Sequence, residues 1–159
     1  MTSPQHSRGV SSINNLLDGK PILVFKDSYH PSDAIVADDM KSVLTYCGYG
    51  DNQVRLWAID GSANGKEMLR IPGKDWNGAT LSPDGKTIAM ADRYRIVLWD
   101  ASNSKQLSEW KESNVRSLQF SADSKRLFYA INKVVKIRNI AGIAEAGKNK
   151  QDELRGLLE

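Results

Sequence analysis

A chain of 159 residues with an apolar fraction of 40% can bury one compact core, so one domain is the default expectation. Its net charge of +3, from 22 basic and 19 acidic residues mostly interspersed, is too small and too mixed to mark a nucleic-acid partner by itself. No apolar run approaches the roughly 18 residues of a membrane span, no secretory apolar segment opens the chain, and Cys47 alone forms no internal disulfide, which fits a reducing cytoplasmic or nuclear setting. In chain order, residues 1–19 are Ser-, Asn- and Gln-rich with few large apolar groups, and are expected to be a flexible tail. Pro21 to Lys26 reads as a strand led by Ile22, Leu23, Val24 and Phe25, and residues 27–31 as a loop.

Three units with the same internal order follow. Their first strands end at Val36, Leu81 and Phe120, with Ala34, Ala79 and Leu118 two positions earlier, a period-2 alternation facing a core. Asp84-Gly85 is the strongest hairpin turn in the chain. Asp39-Met40 and Asp123-Ser124 stand in its place in the other units, where turns of other geometry are expected. Second strands contain Val43-Leu44, Ile88-Ala89 and Leu127-Phe128. Turns at residues 48–52, 92–94 and 132–133 lead into third strands carrying Val54-Arg55-Leu56-Trp57, Ile96-Val97-Leu98-Trp99-Asp100 and Val135-Lys136-Ile137-Arg138. Outer strands are expected at residues 68–71 and 106–110. At the C-terminus, Gly147-Lys148 echoes Gly65-Lys66 and suggests another outer strand, whereas Leu154, Leu157 and Leu158 have helical spacing; a short amphipathic helix over residues 150–158 is favoured.

The markers recur at about 40 residues, the period of propeller blades. Lys20, Lys66 and Lys105 each follow Gly or Ser, and Phe25, Ile71 and Trp110 come five positions later, which fixes the phase. On Trp99-Asp100 with Ser82-Pro83-Asp84-Gly85, and on their weaker flanking copies, residues 20–140 resemble the WD40-repeat family of β-propellers. The resemblance implies an all-β fold: a partial WD40-like propeller of about three four-stranded blades, in units of about 20–60, 61–101 and 102–140. The flexible tail precedes them, and residues 141–159 form a tail or capping helix. It also implies a hydrogen-bonded brace in the first unit from His30, Thr45, Asp51 and Trp57. Later units depart from that pattern: Lys74, Met90 and Arg93 replace the brace partners of Trp99, and Arg138 stands where the third unit should have Trp.

Nothing in the chain assembles an active site. There are two histidines, His6 in the tail and His30 in a loop, with no metal-ligand spacing, nucleophile elbow or phosphate-cradling glycine loop. Asp38-Asp39 lies at a turn position shared by all units, where turn chemistry outweighs acid–base catalysis. No enzyme, cofactor or metal is expected. A propeller of this kind implies a protein or peptide partner on its rim, where Tyr29, His30, Trp76, Arg93, Tyr94, Asn132 and Lys133 are expected to gather. The runner-up is nucleic-acid binding through Arg93, Arg95, Lys133 and Lys136.

Three blades do not close a ring, since closed propellers have about four to eight. Because residues 21–26 have the phase of an outer strand, they would complete a blade preceding the first unit. Three explanations stand level: a head-to-tail homodimer, a heteromeric ring, or a piece of a longer propeller.

Overall fold

A computed structural model describes residues 10–14, 17–26, 31, 33–46, 53–59, 66–73 and 76–143. In chain order the strands are β1 (Val10–Asn14), β2 (Pro21–Lys26), β3 (Asp33–Val36), β4 (Ser42–Tyr46), β5 (Gln53–Ala58), β6 (Lys66–Pro72), β7 (Gly78–Leu81), β8 (Thr87–Ala91), β9 (Arg95–Asp100), β10 (Gln106–Lys111), β11 (Val115–Phe120), β12 (Arg126–Ile131) and β13 (Val134–Asn139). They form four antiparallel sheets: the hairpin β1-β2, blade 1 (β3-β4-β5-β6), blade 2 (β7-β8-β9-β10) and blade 3 (β11-β12-β13). Each outer strand therefore closes the sheet before it, and blade 3 has three strands among the described residues. The expected C-terminal segment over residues 150–158 lies outside the described residues.

Successive blades stack through their inner strands, with β7 lying against β3 and β11. Turn-to-turn bonds reinforce the stack: the Asp38 amide donates to the Pro83 carbonyl at 3.2 Å, and the Asp84 amide to Ser124 Oγ at 3.3 Å. Cross-strand register assigns each apolar residue to a face. The forward face of blade 1 carries Leu44, Val54 and Leu56. It packs on the back of blade 2, where Ala79, Leu81, Ile88, Met90 and Val97 converge. The forward face of blade 2, with Ala89, Ala91, Ile96 and Leu98, packs on Phe120, Leu127 and Tyr129 of blade 3. Ile88, Met90, Ile96 and Leu98 are fully buried, and each such side chain contributes about 1.5–3 kcal/mol. The small Ala89 and Ala91 let the sheets approach closely. In blade 1, Val36 packs on the back face as expected, while Ala34 is exposed.

The stretch Val10–Asn14, expected within the flexible tail, is a strand instead. It pairs with β2 from Val10↔Lys26 to Asn14↔Pro21, and Ile13, like Val36 and Ile59, packs against the buried Val43 and Trp57 on the back of blade 1. One well-placed apolar residue and a waiting strand edge order this polar segment.

The turns after the inner strands also differ from expectation. All three use one geometry, with a left-handed residue at the same place: Met40 (φ 58°), Gly85 (φ 70°) and Ser124 (φ 57°). The residue before it explains why. Asp39, Asp84 and Asp123 each accept the amide of the lysine two positions on, at 2.9, 3.1 and 3.1 Å. That side-chain bond holds the backbone in the turn even where glycine is absent. In blades 2 and 3 a serine adds a second lock: Ser82 and Ser121 donate to the same carboxylates and accept the amides of Thr87 and Arg126 at 2.9 and 3.0 Å. The Ser121 hydroxyl is the leading cause that holds the Asp123 carboxyl below its ordinary range.

Candidate functional site

In a meander of antiparallel strands, the turn between the second and third strands lies at the same end as the lead-in to the next blade. One rim therefore gathers residues 92–94, residues 132–133 and the segment around Glu112. The Glu112 amide donates to the Tyr94 carbonyl at 2.9 Å, joining two of these segments. Tyr94 is 67% exposed, and its turn is tightly held. Asp92 Oδ1 accepts the amides of Tyr94 and Arg95 at 2.8 and 3.0 Å, while Asp92 Oδ2 takes Arg95 Nε at 2.8 Å. Burial pushes the Asp92 carboxyl up, but the hydrogen bond from Arg95, the Tyr94 amide and the Arg95 charge together bring it below its ordinary value. The bond to Asp92 in turn raises Arg95 further above its usual value. The result is an exposed aromatic ring on a backbone with little freedom to lose.

Arg93, Asn132 and Lys133 are exposed on the same rim, and Asn132 sits in a left-handed turn at φ 53°. Two of the basic residues suggested for nucleic acid are engaged elsewhere. Arg95 bridges Asp92 and Glu109, at 2.8 and 2.9 Å, and Lys136 pairs with Glu112 at 3.1 Å. These acids offset a positive stripe along the rim.

Trp76 corrects an expectation. It is 6% exposed and belongs to the core between blades 1 and 2, not to the docking rim. Its indole lies over Gly73, where any Cβ would overlap the ring. Gly73, lacking a side chain, leaves the room that the indole occupies, and this glycine three residues upstream is the signal that a reading of Trp76 alone overlooks. Tyr29, His30 and Asp51 lie outside the described residues. Of the four residues suggested for the brace, Thr45 and Trp57 are brought together: Trp57 Nε1 donates to Thr45 Oγ1 at 2.9 Å in a buried bond. In blade 2 Met90 occupies the place of Thr45, and the buried indole N–H of Trp99 has no hydrogen-bond partner among the described residues.

At the opposite end, a cleft of about 470 Å³ separates blades 2 and 3, lined by Asp84, Lys86, Asp123, Lys125, Leu107 and Ile143 among others. Its two carboxylates are already committed to the turn amides, which leaves no convergent acid–base pair. Among the described residues, no group of three His, Cys, Asp or Glu is placed to hold a metal, and no helix is long and apolar enough to cross a membrane.

No family model matches the chain. No match is found among the curated proteins. Similarity is found to solved structures. One is described as a crystal structure of the eukaryotic initiation factor, with a TM-score of 0.55 at 24% identity over 68% of this chain and 29% of that one. Another is the hydrazine synthase of Kuenenia stuttgartiensis, with a TM-score of 0.67 at 20% identity over 87% of this chain and 42% of that one. The chain thus spans less than half the length of either. At such identities the likeness is one of fold. With the blade-by-blade stacking described above, it defines a partial, propeller-like, all-antiparallel β protein.

Proposed function

We propose that this chain is a WD40-like, non-catalytic scaffold that binds a protein or peptide segment on the rim built around Tyr94. The observation that carries the reading is the pairing of exposure with rigidity at this residue: a ring 67% exposed on a turn held by three bonds to Asp92. Aromatic and arginine side chains dominate interface hot spots, and preorganised ones lose little entropy on binding. Arg93 next to Tyr94 in the chain and Lys133 on the same rim favour a segment with acidic residues flanking an apolar anchor. The engagement of Arg95 and Lys136 with acids weighs against nucleic acid. Thr45 and Trp57, bonded inside blade 1, support the WD40-like assignment.

The test is selection of a phage-displayed random peptide library on the full chain, followed by counter-screening against Tyr94→Ala and Arg93→Ala. Selected peptides that lose binding to either variant, at unchanged melting temperature, support the rim. Peptides indifferent to both substitutions would place the binding surface elsewhere.

A further inference from the structure

Among the described residues the two ends of the fan are unequal and complementary. Among the described residues blade 3 ends at β13, whose six residues are all exposed and whose far edge pairs with no described strand. Its forward face carries Phe128, Ala130, Val135 and Ile137, by the pairings Phe128↔Ile137 and Ala130↔Val135. The same register positions in blade 2 hold Ala89, Ala91, Ile96 and Leu98. There Ile96 and Leu98 are 0% exposed beneath the next blade, whereas Val135 and Ile137 are 66% and 61% exposed. This is a face of blade-packing composition with no blade upon it among the described residues.

At the other end, β2 has the phase of an outer strand and, among the described strands, pairs with β1 alone. Lys20 and Phe25 match Lys66 and Ile71 of β6, and Lys105 and Trp110 of β10. In blade 2 the outer strand pairs with the third strand as Trp110↔Ile96 and Ser108↔Leu98. The hairpin reproduces this register, with Phe25↔Ser11 and Leu23↔Ile13. So β1 stands where a third strand belongs, and Ile13 fills the position equivalent to Leu98. In the same register β13 would set Val135 opposite Phe25 and Ile137 opposite Leu23. Where β1 offers Ser11 and Ile13, β13 offers two apolar side chains.

We propose that β13 of one copy pairs with β2 of a second copy, displacing β1, and that the reciprocal exchange closes a two-fold ring. The occupant is a second copy because the described residues of this chain hold both parts of one four-stranded blade: three inner strands in blade 3, and one outer strand of matching phase in β2. Within one copy they lie at opposite ends of the fan, with blades 1 and 2 between them. Two copies supply three blades each, and a ring of about six blades falls inside the known range for closed propellers. The strand addition satisfies the row of backbone groups on the β13 edge and buries Val135 and Ile137 on the back of the partner's blade 1. In this view β1 is a stand-in that covers the back of blade 1 until exchange.

Light scattering on the full 159-residue chain tests this across about 1–100 µM, where micromolar dimers populate. The expected mass is twice the 17.7 kDa of one chain. Ile137→Asp and the milder Ile137→Ser, at an exposed position that leaves the monomer fold intact, should raise the dissociation constant at least about tenfold. Amide exchange at dimer concentrations should show new protection along residues 134–139 and its loss along residues 10–14. A single-chain mass throughout, a dimer indifferent to both Ile137 variants, open-ended growth beyond two copies, or β1 still protected in the dimer would each overturn the proposal. Tyr94 takes no part in this pairing, so failure here leaves the rim reading standing and the reverse holds too.

Discussion

The guanidinium of Arg138 lies 4.3 Å from the centroid of the Trp110 ring, joining the third strand of blade 3 to the outer strand of blade 2. Trp110 also meets Tyr129 at 6.3 Å between ring centroids, tilted by 53°. Arg138 holds the register position that Trp99 has in blade 2, and it packs on the neighbouring blade from there. Arg138 covers the Trp110 ring while keeping its charge near water.

Arg138→Ala should lower stability by about 1 kcal/mol in chemical denaturation, the range of an exposed cation–π contact with its aliphatic packing. Arg138→Lys should recover only part, because an ammonium cannot lie flat on the ring. Equal stability of all three proteins would show that the contact carries nothing.

Met40 and Ser124 hold positive φ where Gly85 does so without strain. Met40→Gly and Ser124→Gly should each stabilise the fold by about 0.5–1 kcal/mol, since relief of the left-handed strain exceeds the added chain entropy. Gly85→Ala should do the opposite. A lower melting temperature for Met40→Gly would mean that the Asp39 turn carries no strain.

Gly73→Ala places a methyl group inside the Trp76 indole position. Trp76 must leave its seat between blades 1 and 2, at a cost of about 1–3 kcal/mol. Tryptophan emission should shift to longer wavelength with the loss of stability. An unchanged spectrum and melting temperature would contradict the placement of Trp76 in the core.

Asp92 ionises more readily than an ordinary aspartate, whose reference value is 3.8, so its ionised form stabilises the folded chain. That contribution is present above the unfolded-state value and is lost as pH falls through the lower folded value. Asp92→Asn should thus be less stable than the parent near neutrality, and the gap should close in strong acid. A gap that is constant with pH would mean that the Asp92 charge is irrelevant to the turn.

The blades were legible because their signals are local: alternation along each strand, a lysine marking each outer strand, and an aspartate in each inner turn. What escaped depends on neighbours in space. The common turn geometry needed recognition that Asp39 and Asp123 have a lysine amide two residues on, so that Met40 and Ser124 can take glycine's place. β1 was invisible because Ser11, Ser12 and Asn14 have weak strand preference, and only the β2 edge and the seat of Ile13 select their conformation. Tyr94 is exposed on the turn it occupies, while Trp76, read by residue type alone, is buried with its indole over Gly73. The ion pairs of Arg95 and Lys136 arise across strands and could not be counted from charge alone.

The central claim is that the held turn at Tyr94 presents a binding surface. Isothermal titration of a rim-selected peptide into the parent chain, Tyr94→Ala and Tyr94→Phe tests it most directly. The account predicts at least about a tenfold loss of affinity for Tyr94→Ala, most of it restored by Tyr94→Phe, with melting temperatures unchanged. Equal affinity for the parent and Tyr94→Ala would contradict it.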